Sequence, residues 1–516
     1  MDRIERVARE TFGWTELRPG QREAIEAVLS GRDTLAVLAT GAGKSAIYQV
    51  AALLVDGPTV VVSPLLALQR DQVNALDEAT DEGAAHVNAA VGARERDRAL
   101  RDLRRDRLEF LFLAPEQLAN EEVLAQLRRA EPSLMVVDEA HCVSEWGHDF
   151  RPDYLRLGEV AEALGRPTVL ALTATAAPPV RDEIVERLGM RDPAVVVRGF
   201  DRPNLWLGVE RFRDAQRKHA RLLEWVREAE PGGIVYTATR RDADRIAADL
   251  AEQGQRACAY HAGMGKKARI AVEREFMEDR ADVVVATVAF GMGIDKPNVR
   301  WVLHASVSES VDSYWQEAGR AGRDGDAARA LLLYRPEDLG LRRFFVSGTI
   351  GADHLRAVDD LLRGPAAKAD ADALAARLKL SPRRVRAILG RLDDAGGVEA
   401  AVEREQRRRD FDRTRVEMIR AYAEHGSCRR EFSVSYFGEP FQGPCGNCDN
   451  CEAGRYAESE EVDTYPAGSR VRHDRWGEGT VQRTEDSRLV VLFDEGGYRM
   501  LELELVEAGG LLEAVA

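Results

Sequence analysis

The sequence predicts an α/β protein with two consecutive strand–helix lobes, a helical region knit together by a metal, and a short all-β tail. Three observations predict this. Apolar runs such as "TLAVLA" and "LMVVDEAH" end in glycine-rich or acidic turns, the way buried parallel strands read. Four cysteines crowd into residues 428–451. Beyond them, short apolar runs broken by "WGEG" and "DEGG" carry the turn signals of a small barrel.

The 516 residues are enough to bury several separate cores. A composition of 45% hydrophobic and 31% charged residues, with no apolar run of membrane-spanning length, predicts a soluble protein without a membrane partner. The opening "MDRIERVARETFGW" carries no secretory stretch, so a cytoplasmic location is expected. A formal charge of -15 argues against a chain that is basic throughout, but it leaves room for a local basic groove. Without a secretory signal, the cysteine cluster points to a metal rather than to disulfides. The isolated Cys142 and Cys258 read as small buried apolar residues.

The first lobe is expected over residues 1–203. In "DTLAVLATGAGKSAIYQV" an apolar strand meets a glycine-rich turn and then a helix. Main-chain N–H groups along Thr40, Gly41, Ala42, Gly43, Lys44 and Ser45 can wrap a phosphate there, with the Lys44 ammonium on the terminal phosphates and the Ser45 hydroxyl on magnesium. Leu38 stands where the strict pattern has its first glycine. "LMVVDEAH" supplies the complementary acid: Asp138 for magnesium and Glu139 to orient and deprotonate water. The loop that follows, "SEWGHDFRPDY", alternates aromatics with charge, which suits a surface that meets bases and phosphates better than core filling.

The second lobe is expected over 204–336, opening at "GGIVYTATRRDADRIAADL". In "SYWQEAGRAGRDG", Gln316, Arg320 and Arg323 are spaced to face a phosphate across a cleft. Residues 337–454 form the expected metal-binding region, with Cys428, Cys445, Cys448 and Cys451 able to close a tetrahedron around zinc. Within it, residues 365–412 read as an insertion: helix, turn with Ser381 as N-cap and Pro382 at the first helical position, second helix, glycine break, and a wing. A winged helix and a plain helical spacer both fit that pattern. A linker over 455–466 and a small barrel over 467–507 complete the chain.

"FGWTELRPGQREAI", "ATGAGKS", "DEAH", "SEWGHDFRPDY", "FDRPNL", "ATVAFGMGIDKPNVR", "QEAGRAGRDG", "CRREF" and "PCGNCD" are similar to the ordered motifs of the RecQ family of superfamily 2 DNA helicases. The resemblance implies two RecA-like helicase lobes with ATP between them and single-stranded DNA across their top. It further implies an ATP-dependent DNA helicase of 3'-to-5' polarity, acting on single-stranded and forked DNA in repair or recombination. Arg18 and Gln21 would recognise adenine, Arg323 would be the arginine finger, Arg320 a second γ-phosphate contact, and Gln316 would position nucleotide and water. His141, Trp146, His148, Phe150 and Arg151 would couple DNA binding to hydrolysis. The alternative function is a DNA-stimulated translocase or remodeller without net strand separation. In "RVRHDRWGEGTV" and "VLFDEGG" the tail resembles the Tudor-like C-terminal domain of UvrD and PcrA-type helicases, which implies RNA polymerase as a partner; a generic barrel fits the same residues.

Overall fold

The computed structural model describes residues 2–515 except 65, 81–82, 89–90, 106, 145–150, 292–295, 348–349, 365–369, 440, 442, 457–464, 467, 486–487 and 495–496. It divides into two compact units, one of residues 1–334 with 425–456, the other of residues 335–424 with 457–516.

The first unit holds two parallel RecA-like sheets. The first contains β1 (Thr34–Leu38), β2 (Thr59–Val62), β3 (Ala84–Val87), β4 (Phe110–Leu113), β5 (Leu134–Val137), β6 (Thr168–Thr173) and β7 (Ala194–Arg198), in the order β3-β4-β2-β5-β6-β1-β7. The second contains β8 (Leu205–Arg211), β9 (Gly233–Tyr236), β10 (Ala257–Tyr260), β11 (Val283–Ala286), β12 (Trp301–His304) and β13 (Ala328–Tyr334), in the order β10-β11-β9-β12-β13-β8. β1, β2, β4 and β5 are buried at every position, which is why their sequences are continuous apolar runs and not alternating ones. Helices pack on these strands through residues such as Ile25, Ile47 and Val50 in the first lobe and Leu222, Trp225 and Leu250 in the second.

This topology positions a site. The glycine-rich turn leaves the carboxyl end of β1 and Asp138 leaves that of β5, with β6 lying between the two strands. Crevices at the carboxyl ends of parallel strands are where α/β sheets take ligands.

The second unit begins as a helical bundle: Leu339–Ser347, Ala352–Arg363, Ala371–Leu378, Pro382–Ala395 and Val398–Glu424, around a core that includes Leu355, Val358, Ile388 and Ala401. The helix–turn–helix is present, and the Ser381 hydroxyl accepts the Arg384 N–H at 3.2 Å. The expected wing is not. After the break at Gly396 and Gly397 the chain runs for 27 residues as one helix, Val398–Glu424. "VEAAVEREQRRRDF" is rich in Ala, Glu, Gln and Arg, which favour a helix, and it lacks the alternation that a wing strand requires.

The tail forms an antiparallel sheet of β14 (Arg470–His473), β15 (Gly477–Glu485), β16 (Arg488–Phe493), β17 (Gly497–Glu502) and β18 (Glu513–Ala514), in the order β17-β16-β15-β14-β18. β17 and β18 lie at opposite ends of that order, so among the described residues the expected barrel is an open sheet. β18 is two residues long, too short to complete a closing ladder.

Candidate functional site

A cleft of about 720 Å³ lies between the two sheets of the first unit. It is lined from the first lobe by Arg18, Gln21, Thr40, Gly41, Gly43, Lys44, Ser45, Asp138 and Glu139, and from the second by Gln316, Arg320 and Arg323. Residues far apart in sequence, from Arg18 to Arg323, thus line one crevice.

The phosphate-binding turn has the local geometry its glycines predict. Gly41 and Gly43 adopt φ of 83° and 72°, in the left-handed region that side-chain-bearing residues avoid. A Cβ on Gly41 would lie 3.2 Å from Cγ of Arg323, so the glycine also lets the second-lobe arginine approach the turn. Gln21 spans back to this turn: its Nε2 donates to the carbonyls of Ala42 at 2.9 Å and Gly43 at 2.8 Å, and its Oε1 accepts the Arg18 N–H at 2.7 Å. The Arg18 guanidinium donates to the Gly41 carbonyl. The half-buried Lys44 ammonium donates to the Leu38 carbonyl at 3.2 Å, and desolvation pushes its pKa down against the attraction of Glu139 and Asp138. That acceptor is a main-chain oxygen at the end of β1, and an ammonium has three N–H donors, so others remain for an anion.

Asp138 accepts the Ser63 hydroxyl at 3.2 Å, and burial, then the neighbouring Glu139, push its pKa up to about 7. Such a carboxylate is poised for a cation. Glu139 sits at φ 50°, a conformation costly for a residue with a Cβ, directly after the strand. His141 is buried, with Nδ1 2.9 Å from Thr173 Oγ1 and 3.4 Å from Glu139 Oε2. It therefore links the acidic turn to the end of β6. Tyr154 reinforces the turn by donating its hydroxyl to the Asp138 carbonyl at 3.1 Å.

From the second lobe, buried Arg320 donates to the Gly291 carbonyl, while its Nε and the Thr40 hydroxyl are buried without a hydrogen-bond partner among the described residues. Orphaned polar atoms from both lobes, glycine-lined space and a lysine facing two carboxylates together fit a nucleotide polyphosphate with a divalent cation. Ser45 and Asp138 carry the oxygens that would hold the cation.

Arg151, the described member of the aromatic loop, donates to the Pro64 carbonyl at 3.4 Å. Trp146, His148 and Phe150 lie outside the described residues. Sequence reasoning assigned no role to Ser63, Thr173 or Arg202. Arg202 stood in "FDRPNL", so motif membership was the available signal there.

The second cluster is thiol. The Sγ atoms of Cys428, Cys445, Cys448 and Cys451 all lie within 4.8 Å of one another, a separation that one tetrahedral ion can bridge. Contacts among these thiols lower Cys448 and raise Cys428, as a closely packed thiol cluster does. Nearby, Arg429 and Arg430 are both fully buried, paired with Asp449 at 2.5 Å and Asp201 at 2.9 Å. Of the isolated cysteines, Cys142 is buried as expected, whereas Cys258 is partly exposed and donates to Glu275 Oε2 at 3.5 Å.

The comparisons with known proteins agree with this geometry. Residues 18–184 match the DEAD/DEAH box helicase family, 217–325 the helicase conserved C-terminal domain, and 388–452 the RecQ zinc-binding family. RecS of Bacillus subtilis, named as an ATP-dependent DNA helicase, is 40% identical over 343 residues, covering 66% of this chain and 69% of RecS. The ATP-dependent DNA helicase RecQ of the same organism is 35% identical over 460 residues, covering 89% of this chain and 68% of that protein. The chain belongs to the RecQ family. It is a RecQ-type ATP-dependent DNA helicase, and the four cysteines are its zinc site. The zinc-binding match begins at residue 388, inside the segment 365–412 expected as an insertion, so the latter part of that segment is sequence the family shares. At the level of fold alone, the helicase Lhr of Mycobacterium smegmatis superposes with a TM-score of 0.51 at 21% identity over 92% of this chain and 69% of that one. Among the described residues no helix is long and apolar enough to cross a membrane.

Proposed function

We propose that this RecQ-type helicase is a cytoplasmic enzyme that unwinds DNA with 3'-to-5' polarity, taking single-stranded and forked DNA as substrate in repair or recombination. The observation that carries this reading is the convergence of Lys44, Asp138 and Glu139 with Gln316, Arg320 and Arg323 on one interlobe cleft. Motion between lobes that share a nucleotide is what translocation needs.

In this reading Arg18 and Gln21 hold adenine beside the turn they already bind. The Lys44 ammonium and the N–H groups from Thr40 to Ser45 hold the phosphates. Ser45 and Asp138 would hold magnesium, which would supply charge neutralisation for phosphoryl transfer. Glu139 accepts a proton from the attacking water, Gln316 orients it, and Arg320 and Arg323 stabilise charge developing on the transferred group. The loop with Trp146, His148, Phe150 and Arg151 follows Glu139 and His141 directly in sequence, so bases stacked on it can shift the carboxylate. The helix–turn–helix of residues 371–395, which opens its second helix with Arg383, Arg384 and Arg386, would contact duplex phosphates. The tail is a candidate Tudor-like docking module for RNA polymerase, a reading that rests on its resemblance alone.

Strand displacement on forks, overhangs and four-way junctions, run beside ATP hydrolysis, tests the reading. Glu139→Gln should bind ATP yet hydrolyse it at least about a hundredfold more slowly and unwind nothing, because the amide keeps the shape but accepts no proton. DNA-stimulated hydrolysis by the wild type with no displacement on any substrate would favour the translocase instead.

A further inference from the structure

The two sheets are joined by six residues, 199–204, between the end of β7 and the start of β8. Arg202 in this connector reaches into both lobes. Its Nη1 donates to the carbonyls of Thr40 and Gly319, each at 3.2 Å, and its Nη2 donates to those of Ala321 at 2.9 Å and Gly322 at 2.8 Å. Thr40 belongs to the phosphate-binding turn. Residues 319–322 follow the helix Val311–Ala318 and carry Arg320, with Arg323 next.

The chemistry suits a guanidinium. The last carbonyls of a helix lack intrahelical donors and carry the negative end of its dipole, and a planar fork with five N–H groups can satisfy several of them at once. That cage offsets a real cost, because burial, and then the cations of Arg323, Arg18 and Arg430, lower the pKa of Arg202. The packing leaves little slack. A Cβ on Gly319 would lie 3.4 Å from Thr40 Cβ, so helix end and turn are in contact. Gly322, at φ 63°, receives the Asn204 amide on its carbonyl at 2.8 Å, and a Cβ there would meet Asn204 Nδ2 at 2.5 Å.

The rest of the connector is anchored on the cysteine-bearing segment. Glu439 accepts the N–H groups of Gly199 at 3.2 Å and Phe200 at 2.7 Å, Phe437 stacks on Phe200 at 4.1 Å, and Asn447 donates to the Pro203 carbonyl at 2.8 Å. Arg202 and Asn204 are the residues turned to the arginine segment.

We infer that Arg202 is a positioning residue: it fixes the register of the segment carrying Arg320 and Arg323 against the phosphate-binding turn, from a connector that the cysteine segment holds in place. The inference rests on the reading of the cleft given above. A misplacement of a few tenths of an ångström to one ångström in such groups slows chemistry without removing the nucleotide's main contacts.

The test uses the full chain with Arg202→Ala, Arg202→Lys, Asn204→Ala and Arg323→Ala. For each, ATP turnover is measured at saturating ATP and single-stranded DNA, together with Kd for a non-hydrolysable ATP analogue and Tm. Both Arg202 variants should lose about tenfold or more in kcat, since one ammonium cannot span four carbonyls on two lobes, while Kd stays within about threefold. Asn204→Ala, which touches only the second-lobe side, should lose less. If Arg202→Ala does not fold, Arg202→Lys decides the matter. A folded Arg202→Lys with wild-type kcat, alongside an impaired Arg323→Ala, overturns the positioning role alone. An unimpaired Arg323→Ala overturns the reading of the cleft, and the positioning role with it.

Discussion

The nucleotide cleft and the cysteine cluster gather their residues in opposite ways. The cleft draws side chains from Arg18 to Arg323, carried by turns and helices of two lobes that each have their own apolar core. The cluster draws four thiols from 24 residues, 428–451, whose regular structure is one eight-residue helix and one four-residue helix. Parallel sheets with apolar cores of their own flank the cleft. The cluster depends on its metal for what a local apolar core would otherwise supply. Removing a side chain should therefore cost chemistry in the cleft and structure in the cluster.

The sharpest contrast comes from Lys44→Ala. ATP turnover should fall by at least about a hundredfold, as is usual when a charge aimed at a transferring phosphoryl group is lost. Tm should rise or stay level, because a half-buried ammonium among carbonyls is no part of the core. Retained turnover would remove the assignment of the cleft, and a large fall in Tm would erase the distinction between the two regions.

Cys448→Ala comes next. Three ligands hold zinc poorly, so elemental analysis should show its loss, and the segment 425–456 should be destabilised by an amount on the order of 3 kcal/mol or more and unfold at lower temperature. The damage should also reach β8 of the second lobe, since the Asp449 carboxylate next to Cys448 accepts the Val209 N–H at 3.0 Å. Full zinc content in this variant would contradict the four-ligand site.

Asp138 adds a pH test on the side of the cleft. Burial raises its pKa from 3.8 to about 7, so the folded, nucleotide-free chain holds a proton there that the unfolded chain releases. The stabilisation from the neutral form is fully present below the unfolded pKa and is lost as pH rises through about 7. Thermal unfolding between pH 5 and pH 8 should show stability falling with pH, and Asp138→Asn should flatten that dependence. A slope unchanged in Asp138→Asn would show that the carboxyl is not the group responsible.

Legibility followed the same divide. Strands with continuous apolar runs, the glycine turn, the acidic turn and the cysteine spacing were all readable, because each is fixed by residues close together in sequence. The convergence of Gln316, Arg320 and Arg323 on Gly41 needed the family resemblance, since no local rule brings two lobes together. Arg202 was missed because its acceptors are main-chain carbonyls, which leave no mark on the sequence. The wing was expected from a Gly396–Gly397 break that instead only separates two helices. The tail was expected to follow a linker as an independent module, yet residues 457–516 group with the bundle of 335–424.

That last difference supplies a third region, built on an antiparallel sheet and a helical bundle instead of parallel strands or a metal, and the smallest predicted effect on activity. Gly497, at φ 67°, brings β17 onto the helix Val398–Glu424, where a Cβ would lie 2.7 Å from Thr414 Oγ1 and 3.3 Å from the Phe411 ring. The Tyr498 N–H donates to the same Thr414 hydroxyl at 3.3 Å, and Thr414 and Phe411 are both buried, so neither neighbour has room to withdraw. Gly497→Ala should therefore destabilise the second unit by about 1–3 kcal/mol, from overpacking and from the left-handed backbone together. No residue of the cleft lies in this unit, so DNA-stimulated ATP turnover per folded molecule should match wild type at temperatures where the unit stays folded. Thermal unfolding measured beside saturated ATPase rates separates the outcomes. A lowered Tm with full turnover would place the tail outside the motor's chemistry. A matched loss of both would show that the second unit feeds into the cleft, and the contrast between scaffold-held and metal-held sites would have to be redrawn with the tail as a third contributor to catalysis.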